Sequence, residues 1–285
     1  MAKTPRISII TIVYNDKEGL ELTAKSIVSQ SALDKTEWII IDADSKDGTK
    51  KILEKYKKYT TYIVSEPDKG RYDGMNKGIA VAKGEYTIFM NAGDAFNDKY
   101  VIENILNEPI FGKVDYIAGH TYTVIGNKIV GKHMSPATIT ARFFFIDALC
   151  HQSIVIRTER LKIFGGYDNE YKITADAKFF YEDIILRNAK YEKTDIFISR
   201  YDINGISGRE LSTVQREKMQ FIKNSIPPRI LIDLERVAFG KTYIERISAR
   251  LKYKGVIYNF ISGLAILLYS PIAIKNRIKM KLRNL

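Results

Sequence analysis

The sequence predicts an α/β fold: a mostly parallel sheet flanked by helices, followed by a helical, basic appendage. Three observations carry this prediction. Several short runs are almost continuously apolar, as strands covered on both faces are. These runs alternate with helix-period segments through residue 90. Charge is then concentrated at one end: from Lys241 onward ten Lys/Arg stand against one acid, Glu245, giving +9 of the net +12.

Arg6 to Val13 is the first strand, ending at Tyr14-Asn15-Asp16. An amphipathic helix follows, with Leu20, Ala24, Ile27 and Val28 on one face. Trp38 to Asp42 is a second buried strand that stops in the polar turn Asp42-Ala43-Asp44-Ser45-Lys46-Asp47-Gly48-Thr49. Asp47 or Ser45 is placed to cap the next helix, which carries Ile52, Leu53 and Tyr56. Residues 61–65 form a third strand. A Pro/Asp/Gly turn then leads into a short helical pattern that breaks at Gly84, before a fourth strand over 86–90. That strand ends in Asn91-Ala92-Gly93-Asp94. A carboxylate just past the C-terminal end of a core strand is where open α/β sheets place ligands, although the same residue types also favour plain turns.

Beyond residue 95 the rhythm changes. A helix is expected near 98–107, a strand at 114–119, and a hairpin pairing 121–125 with 128–131 through Gly126-Asn127. A strand over 151–157, a short helix opened by Thr158, the turn Gly165-Gly166-Tyr167-Asp168, a helix from Ile173 to about Arg187 and a strand over 193–200 complete the expected body. From about 210 the pattern is helical, broken at Pro227-Pro228. We divide the chain at 1–210 and 211–285. Residues 256–274 carry no charge and are flanked by lysines and arginines on both sides. Their length approaches the ~20 residues of a membrane span, but Asn259, Ser262, Gly263 and Pro271 interrupt the run. It reads as an interfacial helix or, alternatively, as a core helix.

One cysteine, Cys150, excludes a disulfide framework and any multi-cysteine metal site. The N-terminus leads straight into a strand without a leader-like apolar region, so the expectation is a protein that is not exported. The basic tail calls for an anionic surface, membrane or nucleic acid. The apolar core of the tail and the balanced body favour membrane contact through residues 241–285, on the cytoplasmic side, with no nucleic acid as partner. No G-x-G-x-x-G, P-loop or G-x-S-x-G elbow is present. The histidines at 120, 133 and 151 lack metal-ligand spacing. What stands out is a set of carboxylates, each past a strand or at a loop–helix junction: Asp42, Asp44, Asp68, Asp94 and Asp176.

The segments TIVYN at 11–15, DADSKDGT at 42–49, EPDKGRYDGMNKG at 66–78, NAGD at 91–94, HQ at 151–152 and GGYD…TAD at 165–176 resemble, in this order and spacing, the motifs of the family 2 inverting glycosyltransferases. The resemblance covers roughly residues 6 to 210. It implies the GT-A fold (Rossmann-like), a nucleotide-sugar donor, the divalent metal usual for the family, and a polysaccharide-type acceptor. Carried onto this chain, Asp42 is expected to read the base, and Thr11, Val13 and Asn15 to wall the nucleoside. Asp68, Arg71 and Asp73 are expected to face the same crevice, with Lys69 or Arg71 as the phosphate contact. Asp94 takes the metal role, for Mg²⁺ or Mn²⁺, where relatives carry a D-x-D-type motif and this chain has Asn91 and Gly93.

Asp176 matches the catalytic base, with Lys178 where relatives often carry another acid. Its position at a helix start is also one the dipole favours for any carboxylate. His151 and Gln152 are expected on the acceptor side. The expected reaction moves a hexose, UDP-linked, to a hydroxyl of a glycan or polyprenyl-linked glycan. Nucleotidyl transfer onto a sugar phosphate is an alternative disfavoured by Val13-Tyr14-Asn15-Asp16, which lacks a Gly-rich loop. A nucleic-acid-binding protein without catalysis is a second alternative.

Overall fold

The computed structural model describes residues 4–126, 128–202 and 210–238. The apolar tail run at 256–274 and the basic residues from Lys241 onward lie outside the described residues. Contacts within the chain define two compact units, Met1–Ser225 and Ile226–Leu285. In the second, the described helix is Pro228–Ala238.

In the first unit the strands β1 (Ile7–Val13), β2 (Thr36–Asp42), β3 (Tyr62–Ser65) and β4 (Tyr86–Phe89) pair in the order β3-β2-β1-β4, all parallel. The apolar runs of β1, β2 and β4 are buried on both faces, with Ile7, Ile9, Ile10, Trp38, Ile39, Ile40, Ile88 and Phe89 all essentially inaccessible, whereas the edge strand β3 is partly exposed. At ~1.5–3 kcal/mol per fully buried large aliphatic or aromatic side chain, this stack dominates the folding of the half-sheet. Helices α1 (Lys17–Val28), α2 (Thr49–Tyr56) and α3 (Arg71–Val81) make the crossovers. Asp47, rather than Ser45, holds the start of α2: its Oδ1 accepts from the N–H and hydroxyl of Thr49. Ser45 turns the other way, and its hydroxyl accepts from the N–H of Asn15. α3 lies close on β1 because two of its residues lack a side chain. A Cβ on Gly78 would stand 2.6 Å from Cγ2 of Ile10.

Beyond β4 the sheet is mixed rather than parallel. The strands β5 (Ala95–Phe96), β6 (Tyr116–Ile125), β7 (Lys128–His133), β8 (Ile154–Arg157) and β9 (Tyr191–Asp202) extend it in the order β4-β8-β6-β9-β5, with β7 paired to β6. β8 runs antiparallel to both β4 and β6, and β6 runs parallel to β9. The hairpin at 121–133 forms as its Gly126-Asn127 turn predicts. Residues 151–153 are a 3₁₀ turn and not the start of β8.

The remaining helices of this unit are α4 (Val101–Asn107), α5 (Ala141–Ile146), α6 (Thr158–Ile163), α7 (Ala175–Phe180) and α8 (Leu211–Ser225). α7 runs on into a π-turn at Tyr181–Leu186. α8 packs on the body: Phe221 is fully buried and its ring meets Tyr171 and Tyr181. Among the described residues no helix is long and apolar enough to cross a membrane.

Candidate active site

Strand register places the site. Val13, Asp42 and Ser65 stand in one row across β1, β2 and β3, so these strands end together at one edge of the sheet. β4 reaches the same edge, and its ladder continues past Phe89 through Met90 N–H to Ile10 and Ala92 N–H to Ile12. Because β8 is antiparallel to β4, the residues that precede β8 arrive where β4 ends. This is why His151 and Gln152, distant in sequence, meet the Asn91–Asp94 turn.

At the end of β2 Asp42 is fully buried. Its Oδ2 accepts from the Ser65 hydroxyl at 2.5 Å, and both carboxylate oxygens face the Ser45 N–H at 3.2 and 3.3 Å. Asn15, held at φ 48°, links the two loops: its side-chain oxygen accepts from Lys46 N–H. Of the three residues expected to wall the nucleoside, Asn15 alone reaches solvent. Val13 is 4% exposed and Thr11 is fully buried. The Thr11 hydroxyl donates to the Met90 carbonyl at 2.8 Å and accepts from Trp38 Nε1 at 3.0 Å, so its side chain is spent inside the core.

Asp68 Oδ1 accepts from Gly70 N–H, and its other oxygen lies over Gly74, where a Cβ would come within 3.1 Å. Burial pushes its carboxyl above the ordinary range. Asp73 closes the same loop by accepting from Lys69 N–H at 3.0 Å. Arg71, the first residue of α3, has no carboxylate partner among the described residues, and no side chain caps this helix.

Asp94 is 8% exposed. Gln152 Nε2 donates to its Oδ1 at 3.4 Å, and burial, opposed by this contact, raises its carboxyl to about 6. The Thr23 hydroxyl reaches the carbonyls of Asn91 (3.0 Å) and Asp94 (2.6 Å) and fixes the turn. Among the described residues no group of three or more His, Cys, Asp or Glu is placed to hold a metal ion. A cation is offered one buried carboxylate without a fixed counter-charge. That fits a hard cation whose remaining ligands are donor oxygens and water.

Asp176 is reached from three sides. Its Oδ2 lies 3.0 Å from His151 Nδ1, and its Oδ1 accepts from Tyr72 OH and Ala177 N–H, both at 2.9 Å. Burial would raise this carboxyl, but His151, Tyr72 and the Ala177 N–H together hold it below the ordinary range. His151 Nε2 meets Asn91 Nδ2 at 3.1 Å. α3 is the hub, since Asn76, one turn on from Tyr72, exchanges two 2.7 Å hydrogen bonds with the backbone of Tyr167. Gly166, at φ 77°, permits that approach: a Cβ there would lie 2.3 Å from the Asn76 oxygen.

The structure thus brings Asp94, His151, Gln152 and Asp176 together, and gathers Asn15, Asp42, Asp68, Arg71 and Asp73 along the same sheet edge and the loop before α3. Sequence reading missed Tyr72, Asn91 as a partner of His151, Ser65 and Glu217. A tyrosine directly after the expected phosphate residue Arg71 was the available signal for the first. The others had none, because their partners, Asp42 for Ser65, Thr174 for Glu217 and His151 for Asn91, are 23, 43 and 60 residues away.

A mixed sheet with parallel strands ending at a carboxylate-lined edge defines a GT-A-like fold. The profile of Glycosyl transferase family 2 matches residues 8–165, and the chain belongs to that family. An uncharacterised glycosyltransferase of Mycobacterium tuberculosis, Rv1514c, is 33% identical over 185 residues, 63% of this chain and 69% of that protein. Two solved structures share the fold. The 1–349 fragment of Staphylococcus aureus TarS in complex with UDP-GlcNAc has a TM-score of 0.62 at 16% identity and covers 95% of this chain and 77% of that one. The mannosyltransferase PcManGT of Pyrobaculum calidifontis, with GDP-Man and Mn²⁺, has a TM-score of 0.59 at 15% identity, covering 94% and 82%.

Proposed function

We propose that this glycosyltransferase moves a hexose from a UDP-linked donor to a hydroxyl of a glycan or lipid-linked glycan, inverting the anomeric carbon. The observation that carries the reading is Asp176: one carboxylate, held below the ordinary range by three hydrogen-bond donors, one of them Tyr72 next to Arg71. Direct displacement needs a single base. The acceptor oxygen bonds to the anomeric carbon as its proton passes to Asp176. The bond from that carbon to the diphosphate oxygen breaks, and the electron pair leaves with the diphosphate.

The donor half is the row at the ends of β1–β3. Asp42 accepts from a base N–H, Asn15 lines the opening, and Thr11 and Val13 support it from beneath. Arg71, without an acidic partner among the described residues and standing at an uncapped helix start, meets the diphosphate, with Asp68 and Asp73 shaping its loop. Asp94 would hold Mg²⁺ or Mn²⁺, which neutralises charge on the leaving diphosphate when bound. Gln152 and His151 face the acceptor side. Residues 241–285 bring the enzyme to the cytoplasmic face of a membrane, and the catalytic body corresponds to the first part of the chain, ahead of this extension.

The test is a donor screen that measures release of nucleoside diphosphate, with and without Mg²⁺ or Mn²⁺, using membrane lipid extract as acceptor. UDP-sugars should be turned over, Asp176→Asn should lose ~10²–10⁴-fold in rate, and the product should show the inverted anomer by NMR. Full transfer by Asp176→Asn, or a retained anomer, would remove the mechanism. Unchanged membrane partitioning after deletion of 241–285 would remove the role given to the tail.

A further inference from the structure

Three side chains from three separate elements stand in a row at the candidate base. Asn91 comes from the turn after β4, His151 from the 3₁₀ turn before β8, and Asp176 from the first turn of α7. The contacts are 3.1 Å from Asn91 Nδ2 to His151 Nε2 and 3.0 Å from His151 Nδ1 to Asp176 Oδ2. The His151 and Asp176 side chains are 18% and 15% exposed.

The protons along this row can be counted. An amide nitrogen only donates, so Nε2 must accept, and the neutral ring carries its proton on Nδ1. Nδ1–H then donates to Asp176. His151 cannot take the proton that Asp176 removes from an acceptor, since Nδ1 is already protonated and Nε2 is covered by Asn91. The proton has a place on the other oxygen. Tyr72 has one hydroxyl proton and two acceptors in reach, the Ile173 carbonyl at 2.6 Å and Asp176 Oδ1 at 2.9 Å. While Asp176 is ionised, Tyr72 can donate to it. Once Oδ1 is protonated it can donate to Tyr72, which turns its own proton to Ile173.

We propose that Asn91 and His151 are a positioning pair for Asp176: Asn91 fixes the imidazole in its Nδ1–H tautomer, and the imidazole holds the base in one orientation as an acceptor only. The inference rests on the reading of Asp176 as the base. It gives a reason for an amide at position 91, where the family resemblance leads one to expect the first acid of a D-x-D-type motif. A carboxylate at position 91 would accept from Nε2, hold the ring as an imidazolium between two acids, and weaken Asp176 as a base. The Oδ1 atom of Asn91 is buried and has no partner among the described residues, the cost of presenting the nitrogen side of the amide to the ring. The charged and titratable groups facing this row are Tyr72 and Arg71 from α3, Tyr167 from the turn before α7, and Asp94 beyond β4.

The experiment uses the full-length chain labelled with ¹⁵N-histidine, with His151→Gln identifying the His151 signals. At pH 7 the wild type should show Nδ1 protonated and Nε2 bare. Asn91→Ala should bring in the Nε2–H tautomer, and Asn91→Asp should protonate both nitrogens. Asn91→Ala and His151→Ala should lower kcat ~10- to 100-fold, less than loss of the base itself, with little change in donor KM. The acid limb of kcat/KM should move up by about one pH unit. His151→Gln, which keeps an N–H donor, should recover part of the loss. Loss of activity in Asp176→Asn alongside an unmoved tautomer and acid limb in Asn91→Ala would overturn the pair and leave the base standing. Full activity of Asp176→Asn would overturn both. If Asn91→Asp gains affinity for Mn²⁺ with its tautomer and pH profile unchanged, Asn91 belongs to a cation site and the proposal is wrong.

Discussion

Glu217 takes both donors of Thr174 on a single oxygen, the backbone N–H at 3.1 Å and the hydroxyl at 3.0 Å. The N–H groups of Lys172 and Ile173 also donate to this carboxylate, at 2.9 and 3.1 Å. One buried anion from α8 thereby satisfies the turn that opens α7, two residues before Asp176. Charge-assisted bonds of this kind are roughly twice as strong as neutral ones. Glu217→Gln keeps the volume but sets an NH₂ against a cluster of donors. We expect a loss of ~1–3 kcal/mol in denaturant unfolding and a lower kcat with donor KM little changed. A chain ending at residue 210 should lose transfer, whereas one ending at 225 should keep it. Full activity of the shorter chain would show that α8 does not support the base.

Arg71 is expected to work through charge. Nothing acidic pairs with it among the described residues, while its neighbours Asp68 and Asp73 are occupied by backbone N–H groups of the same loop. Arg71→Ala should raise donor KM ~10- to 100-fold, the equivalent of one charge-assisted contact of ~1.5–3 kcal/mol. Arg71→Lys should recover part of it, since lysine keeps the charge but loses the planar fork. The loss should shrink at high salt. Equal donor affinity in Arg71→Ala, measured by calorimetry with the nucleoside diphosphate, would move the phosphate contact elsewhere.

The half of the fold that was legible in the sequence is the half made of local repeats. β1 to β4 announce themselves because each is an apolar run bounded by polar turns, and their crossovers are short helices in sequence order. The second half was less legible because its pairings are non-local. β8 slots antiparallel beside β4, and nothing in residues 151–157 shows that the first three curl into a 3₁₀ turn while the rest extend. That curl brings His151 to Asn91. The site carboxylates were visible as residues at strand ends, since the edge of a parallel sheet is a local property. Their partners were not, because Tyr72 meets Asp176 across 104 positions. Thr11 shows the reverse error. Its motif suggested a donor contact, but position 11 faces inward on β1, where Trp38 and Met90 claim the hydroxyl.

That inward placement leads to a prediction about Thr11→Val. The substitution keeps the shape and removes one hydroxyl that serves two buried partners. Trp38 Nε1 and the Met90 carbonyl would both lose their hydrogen bond in a region closed to water. Unpaired buried groups cost ~1–3 kcal/mol each, so thermal or urea unfolding should shift clearly. Donor KM should stay within about twofold of the wild type, because the side chain makes no surface. A large rise in KM with unchanged stability would return Thr11 to the donor site.

Asp94 should make stability depend on pH in the direction opposite to most carboxylates. Burial raises its carboxyl from 3.8 to about 6, so the folded chain binds this proton more tightly than the unfolded chain. Its favourable contribution is present at low pH and is lost as pH rises from about 4 to about 6, after which the ionised group weighs against folding. The full shift corresponds to at most about 3 kcal/mol. Asn can still accept from Gln152, so Asp94→Asn should be more stable than the wild type above pH 6 in the absence of divalent cations, and should lose this limb of the pH dependence. Mn²⁺ or Mg²⁺ should raise the unfolding temperature of the wild type above pH 6 and leave Asp94→Asn unmoved, since a ligand stabilises only the chain that binds it. Calorimetry across pH 4–8, with and without metal, reads both effects. An equal metal response in the two chains would take the cation away from Asp94, and an unchanged pH limb would mean that its carboxylate is already neutralised by a neighbour.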